Sequence, residues 1–263
     1  MAYRISEIEH LYGPNVHILD DPFLTTVLAH LGSPETAQPK LNTLVNFLYR
    51  RLVETVVNVE FEVRGFELAT RMTSYYPDQK FRGKLVDSSL KAVCVNLARA
   101  GTLPSHICYE HLNYFLDPEG VRQDHIFASR LTNTRDQVTG TQLGNAKIGG
   151  GVDDAYVLFP DPMGATGNTI VSALDYYKRE LKGHARKYLA LHLIVTPEYL
   201  KRVTSAHPDA MIYAVRLDRG LSPKEVLESV PGTFWANERG LDDRQYIVPG
   251  AGGLGEVLNN SFV

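Results

Sequence analysis

Apolar and polar positions recur along this chain with two periods, and the switch between them marks its organisation. Leu41, Leu44, Val45, Leu48, Leu52, Val53 and Val56 fall on one face at helical spacing, and Pro39 suits a first helical turn, so residues 39–58 are predicted as an amphipathic helix. Val59-Glu60-Phe61-Glu62-Val63 then alternates with period two, predicting a strand at 59–63 with one solvated side. Continuous apolar runs follow at 91–97, 125–129, 156–159, 188–196 and 210–217, the signature of strands covered on both faces. Helical stretches at 104–115, 170–181 and 197–206 separate them. Strands alternating with helices predict an α/β fold, a doubly wound parallel sheet of about five strands flanked by helices.

The remaining segments are less regular. Residues 1–38 are turn-rich, with a short helix expected at 23–31, and 70–80, containing Tyr75-Tyr76-Pro77, reads as an exposed loop. The polar, glycine-rich stretch 132–151 has no periodicity, which inside a compact domain points to a functional loop, with Arg135 and Lys147 as candidate ligand contacts. Ser222-Pro223-Lys224-Glu225 has the form of a capping box and predicts a helix over 223–230. Trp235, the single tryptophan, is expected to anchor that added segment by packing. The chain reads as one domain: an amino-terminal helix and arm (1–90), a core sheet (91–220), and an insertion followed by a binding hood (221–263).

The most informative stretch is 155–169. An apolar strand ends at the acidic Asp161, a turn of small and hydroxyl residues follows (Met163, Gly164, Ala165, Thr166, Gly167, Asn168, Thr169), and a helical pattern begins at about Ile170. Backbone N–H groups of such a turn, the helix amino end and two threonine hydroxyls together form a phosphate site. Asp161 stands where it can accept hydrogen bonds from sugar hydroxyls. No Gly-Lys-Ser/Thr occurs here, which excludes a Walker loop. A cation beside a glycine, Arg99-Ala100-Gly101, stands at the carboxyl end of the 91–97 strand, where open α/β sheets bind ligands, and suits a second anion.

Composition narrows the function classes. With 44% hydrophobic and 22% charged residues and a net charge of −3, the chain lacks the basic balance of a nucleic-acid binder. No segment approaches the ~20 apolar residues that span a bilayer, and residues 1–7 have no apolar signal core, so a cytoplasmic protein is expected. Cys94 and Cys108 sit in apolar patterns and read as buried free thiols. Nine histidines show no metal-ligand spacing, and His106 and His111 read as helix-face residues.

Asp161-Pro162-Met163 followed by Ala165-Thr166-Gly167 resembles the phosphoribosyl pyrophosphate signature of type I phosphoribosyltransferases, in the form found in uracil phosphoribosyltransferases. Arg99-Ala100-Gly101 resembles that family's pyrophosphate loop. Arg130 in Ser129-Arg130 matches the arginine of its Tyr-Arg pair, and Ala206-His207-Pro208-Asp209 is similar to its segment before the last strand. Tyr246-Ile247-Val248-Pro249-Gly250-Ala251-Gly252 resembles its uracil-binding hood, in which main-chain groups of Ile247 and Gly252 would read the pyrimidine edge, beside Tyr246 and Gly253. The resemblance implies the type I fold with a hood from both chain ends, transfer of a phosphoribosyl group to uracil giving uridine monophosphate (UMP) and pyrophosphate, and Mg²⁺ carried in by phosphoribosyl pyrophosphate without direct protein ligands. It also implies pyrimidine salvage and a homodimer or higher homo-oligomer. Arg99, Arg130 and Asp161 would take the catalytic roles, and the 132–151 stretch that of an active-site loop.

One departure lies in the hood. Relatives follow the last hood glycine with Asp-x-Gly-Asp, where this chain has Gly253-Leu254-Gly255-Glu256. Glu256, Asp242 or Asp243 would have to supply the missing negative group; otherwise slow uracil transfer, partly recovered by Gly253→Asp, is expected. The departure admits a different base, or a non-catalytic sensor of phosphoribosyl pyrophosphate or a nucleotide. Gly250-x-Gly252-x-x-Gly255 also fits a dinucleotide fingerprint, but the few residues after it exclude the helix and strand such a site needs.

Overall fold

The computed structural model describes residues 3–132 and 138–261, with the backbone alone over 128–132 and 138–143. In chain order the elements are β1 (Val16–Ile18), α1 (Pro22–Leu31), α2 (Lys40–Glu60), β2 (Val63–Leu68), β3 (Phe81–Val86), β4 (Lys91–Ala98), α3 (Thr102–Leu112), β5 (Val121–Thr132) and β6 (Val138–Lys147). They continue with β7 (Ala155–Pro160), β8 (Met163–Gly164), α4 (Asn168–Arg179), β9 (Lys187–Val195), α5 (Pro197–Ala206), β10 (Met211–Leu217), α6 (Lys224–Leu227) and α7 (Leu254–Val257).

The main sheet runs β1-β10-β9-β7-β4-β5-β6, with short β8 added to β9. β4, β5, β7, β9 and β10 are the expected parallel strands; β1 joins parallel, and β6 closes the other edge antiparallel. Counting only those five, the order is 2-1-3-4-5, a doubly wound sheet whose direction of winding reverses between β4 and β7. Period two within the strands explains the layers. Ala92 and Cys94 join α1, α2 and α3 in one core, while Val93, Val95 and Leu97 join α4 and α5 in the other. α2 buries Leu41, Val45, Leu48, Leu52, Val53 and Val56, the stripe its sequence spells out. Truncating Leu52, fully buried, to alanine would cost about 2–5 kcal/mol.

Four expectations are corrected. The predicted strand at 59–63 is instead the end of α2, and the exposed β2–β3 hairpin begins only at Val63. Buried Glu60 explains why: helix geometry brings its carboxylate to Lys187 Nζ (2.5 Å) and to the Tyr213 hydroxyl, a tertiary pairing that overrides local alternation. The 132–151 stretch is not an aperiodic loop throughout. Residues 138–147 form β6, paired antiparallel with β5 at the sheet edge despite their polar sequence; residues 133–137 lie outside the described residues, as does Arg135 with them. The 1–38 segment contributes β1, three residues paired to β10, too short to show a period. The capping box is absent: α6 has Pro223 at its N-cap with no side-chain bond, and Ser222 Oγ accepts the Arg239 N–H at 2.8 Å instead. Trp235 is the anchor expected, donating from Nε1 to the Pro197 carbonyl (3.0 Å) and packing edge-on against Tyr12. Cys94 and Cys108 are buried and free. Among the described residues no helix is long and apolar enough to cross a membrane.

Candidate active site

Ligands in open α/β sheets bind beyond the carboxyl ends of the strands where the winding reverses. Here those are the ends of β4 and β7, and a cleft of about 580 Å³ opens at that point. Arg99 and Ala100 enter it from β4, Asp161 and Met163 from β7, then Ala165, Thr166, Gly167 and Thr169 from the turn into α4. Tyr246, Ile247, Gly252 and Gly253 close it from the carboxyl-terminal segment. Three residues expected here do not line it. Gly101 is packed under the loop, where a Cβ would lie 3.0 Å from the Leu97 and Pro160 carbonyls. Gly164 is buried against the Tyr199 ring, and Asn168 turns its Oδ1 to Arg202 Nε (3.2 Å). Arg130 lies on β5 where side chains are outside the described structure. Phe127, Gln245 and Tyr199 line the cleft without having been anticipated. Phe127 reaches the cleft from within β5 because it pairs with Ala98, the last residue of β4.

The phosphate half is built from a short stretch of chain. Gly167 has φ +81°, a left-handed conformation, and a Cβ there would meet Arg202 and Val203 side-chain carbons at 3.1 Å. That turn starts α4 at the cleft, with Gly167 and Thr169 in its lining and the Asn168 N–H donating to Thr166 Oγ1 (3.4 Å). Asp161 Oδ1 accepts the Met163 N–H at 3.1 Å, fixing the carboxylate at the strand tip. Beneath it His192 is buried, with Nδ1 2.6 Å from the Asp161 carbonyl and Nε2 2.5 Å from the Tyr199 hydroxyl. A carbonyl only accepts, so Nδ1 carries the proton and Nε2 accepts from Tyr199. Burial pushes the His192 pKa down to about 4, keeping the ring neutral, and pushes the Tyr199 hydroxyl up. Arg99 Nη1 donates to Ser261 Oγ (2.6 Å) and to its carbonyl (3.3 Å), so the chain's end reaches across the arginine loop.

The hood is shaped from afar. Leu241 and Ile247 form an antiparallel bridge whose hydrogen bonds come from their neighbours, Asp242 N–H to the Tyr246 carbonyl (3.0 Å) and Val248 N–H to the Gly240 carbonyl (2.8 Å). In that pattern the Ile247 N–H and C=O point away from the Leu241 side. Glu198, in the first turn of α5, accepts the Gly240 and Leu241 N–H groups on the opposite side at 3.0 and 3.3 Å. Asp218 Oδ2 accepts the Gly250 N–H (2.8 Å), and Arg216, paired with Asp218 at 2.6 Å, donates to the Gly250 carbonyl (3.0 Å). Both chain ends contribute to the hood: Gly32 packs against Ala251, and Gln38 Nε2 donates to the Leu258 carbonyl at 3.0 Å.

Gly253 is open in one respect and closed in another. Its φ of −78° suits any residue, yet a Cβ built there would collide with Glu256 Oε2 and lie 3.0 Å from its Cδ. The backbone angle that Gly253→Asp requires is thus met, while the added side chain would displace the Glu256 carboxylate from that space. Asp242 Oδ1 is engaged by the Arg244 and Tyr246 N–H groups (2.9 and 2.8 Å), and neither Asp242 nor Asp243 lines the cleft.

The Arg99 loop and the 163–169 turn meet in one cleft at the switch point of a 2-1-3-4-5 sheet, and the chain has the fold of type I phosphoribosyltransferases. Sequence comparison narrows the class. The model of the uracil phosphoribosyltransferase family matches residues 18–234, and the chain belongs to that family, whose members are glycosyltransferase-type enzymes. A uracil phosphoribosyltransferase of Staphylococcus epidermidis is 24% identical over 251 residues, 92% of this chain and 97% of the relative. One of Polaromonas naphthalenivorans is 28% identical over 249 residues, 93% of this chain and 97% of the relative. Among solved structures, the AQ2163 protein of Aquifex aeolicus matches with a TM-score of 0.70 at 20% identity, over 93% of this chain and 97% of that one, a likeness of fold.

Proposed function

We propose that the protein transfers the phosphoribosyl group of phosphoribosyl pyrophosphate to uracil, giving UMP and pyrophosphate. The observation that carries this reading is the main-chain edge of Ile247 in the wall of the cleft, its N–H and C=O turned away from the Leu241 strand. Uracil offers an acceptor–donor–acceptor edge, and a rigid backbone complements it without loss of side-chain entropy. In this reading Ile247 and Gly252 hold the base, with Tyr246 and Gly253 beside it. The N–H groups and hydroxyls of Thr166, Gly167 and Thr169 take the 5′-phosphate, and Asp161 accepts from the ribose hydroxyls. Arg99, the Ala100 N–H and Arg130 take the pyrophosphate; Gly101, Gly164 and Asn168 shape these turns from behind, and Met163 and Ala165 line the ribose.

The divalent cation is part of the substrate, magnesium phosphoribosyl pyrophosphate, and when bound it neutralises charge on the leaving pyrophosphate. The donors present fit that role: Asp161 and Glu256 are the carboxylates lining the cleft, and among the described residues no group of three metal-binding side chains forms a resident site. No covalent nucleophile is needed, since fixed dipoles and positioning favour the positively charged sugar ring that develops as pyrophosphate departs. A cytoplasmic salvage role and a homo-oligomeric state, with 1–90 as arm, 91–220 as core and 221–263 as insertion and hood, complete the proposal. The test is product formation from phosphoribosyl pyrophosphate, Mg²⁺ and labelled uracil beside cytosine, adenine, hypoxanthine and orotate. UMP as the dominant product is expected; faster turnover of another base, or of none, would contradict the reading.

A further inference from the structure

Transfer to a ring nitrogen leaves one proton to be placed. The base enters with that nitrogen protonated, and the product carries carbon there instead. Among the described residues lining the cleft, two carry carboxylates. Asp161 lies at the tip of β7 and is tied to the Met163 N–H, on the ribose side. Glu256 lies on α7, whose Gly255 packs against Ala100 of the arginine loop and whose N-cap is Gly253 of the hood. Its carboxylate therefore stands on the seam between the base-holding segment and the arginine loop. Among the described residues no side chain donates a hydrogen bond to it.

We infer, resting on the uracil-transfer reading, that Glu256 accepts the proton of the attacking base nitrogen and that Gly253 is glycine because the Glu256 carboxylate fills its side-chain space. The step balances. The N–H bond breaks and its proton goes to a Glu256 oxygen, the electron pair left on nitrogen forms the bond to the anomeric carbon, and the anomeric C–O bond breaks with its pair leaving on pyrophosphate. A carboxylate reaches this spot from position 256 because residue 253 offers no Cβ; from position 253 it could do so only if 256 withdrew. Positions 253 and 256 are thus two roots for one acid. Among the described residues the other charged groups lining the cleft are Arg99 on the Ala100 side and Asp161 across it.

The experiment compares wild type with Glu256→Gln, Glu256→Ala, Gly253→Asp and the double variant Gly253→Asp/Glu256→Ala. It measures kcat and KM for uracil and magnesium phosphoribosyl pyrophosphate across pH, and the dissociation constant of UMP, which has no proton to give at that nitrogen. Glu256→Gln should lower kcat by about 100-fold or more while UMP affinity stays within about threefold, and should flatten the acidic limb of the wild-type pH profile. Gly253→Asp alone should slow the enzyme, because two carboxylates share one volume. The double variant should exceed Glu256→Ala by about tenfold or more, the swapped acid restoring part of the general-base contribution. Wild-type kcat in Glu256→Gln, equal losses of kcat and UMP affinity, or a double variant no faster than Glu256→Ala would each overturn the inference. A wild type that binds UMP but forms none from uracil overturns the transfer reading itself, and this inference falls with it.

Discussion

The two halves of the cleft are built on different principles. The half to which we assign the phosphate is one continuous stretch, strand, turn and helix, in which the residues lining the cleft also make the local structure. The hood is also a short stretch, residues 240–253, folded on itself by the 241/247 bridge and the Asp242 turn, but it is set in the cleft wall by residues outside it. Glu198 from α5, Asp218 and Arg216 from the end of β10, and Gly32 and Gln38 from the amino-terminal segment hold it in place. A phosphate site needs only convergent N–H groups, which any helix amino end supplies. A base edge must be matched group by group, so its backbone has to be fixed from outside.

That difference can be broken experimentally. The largest effect should come from Asp218→Ala, which leaves the Arg216 guanidinium beside the hood without its nearly buried partner. Loss of about 3–5 kcal/mol of stability is expected in urea denaturation. In what remains folded, uracil binding should fail while ribose 5-phosphate binding persists; equal loss of both would erase the distinction between the halves.

The phosphate half also has distant supports, Thr196, Arg202 and His192 among them, and pH reveals the last. Its folded pKa of about 4 lies below the ordinary value of 6.5, so between those values the unfolded chain binds a proton that the folded protein excludes. Stability from this group is whole above about pH 6.5 and falls by about 3 kcal/mol as the pH drops toward 4. Denaturation at several pH values should show a shallower decline in His192→Gln than in wild type. Parallel declines would contradict the neutral buried ring.

A smaller loss is expected from replacing Thr166 and Thr169 together by alanine. Ribose 5-phosphate and UMP should each bind about 1–3 kcal/mol more weakly by titration calorimetry, with uracil affinity unchanged. Glu198→Gln is the mildest test. It keeps an acceptor for the Gly240 and Leu241 N–H groups but removes its charge, which should weaken uracil binding by about 1 kcal/mol and leave ribose 5-phosphate alone. An effect on phosphate instead would show that the clamp serves the whole cleft.

The same contrast explains what could be read from the residues. The parallel strands, α2, α4 and α5 were legible because each buries a stripe at its own period, and the 155–169 turn because its chemistry is local. The strand expected at 59–63 failed because Glu60 is drawn to Lys187 and Tyr213, 127 and 153 residues away. β6 hid because its residues, rich in threonine, glycine, glutamine and asparagine, show no apolar alternation. In the site, Tyr199 gave no signal, since its place beneath Gly164 depends on how α5 packs. The fate of the acid missing at Gly253 was visible only as three candidates, and packing distinguishes them: Glu256 fills the space, while Asp242 is spent on its own turn.

The central claim is that one cleft holds a ribose phosphate at a local turn and a pyrimidine on a clamped backbone. Crystals soaked with UMP test both ends at once. The account predicts the phosphate on the 166–169 N–H groups and the pyrimidine edge on the main chain of Ile247 and Gly252. A nucleotide with its phosphate in the turn and its base outside the hood, or no nucleotide in the cleft, would contradict it.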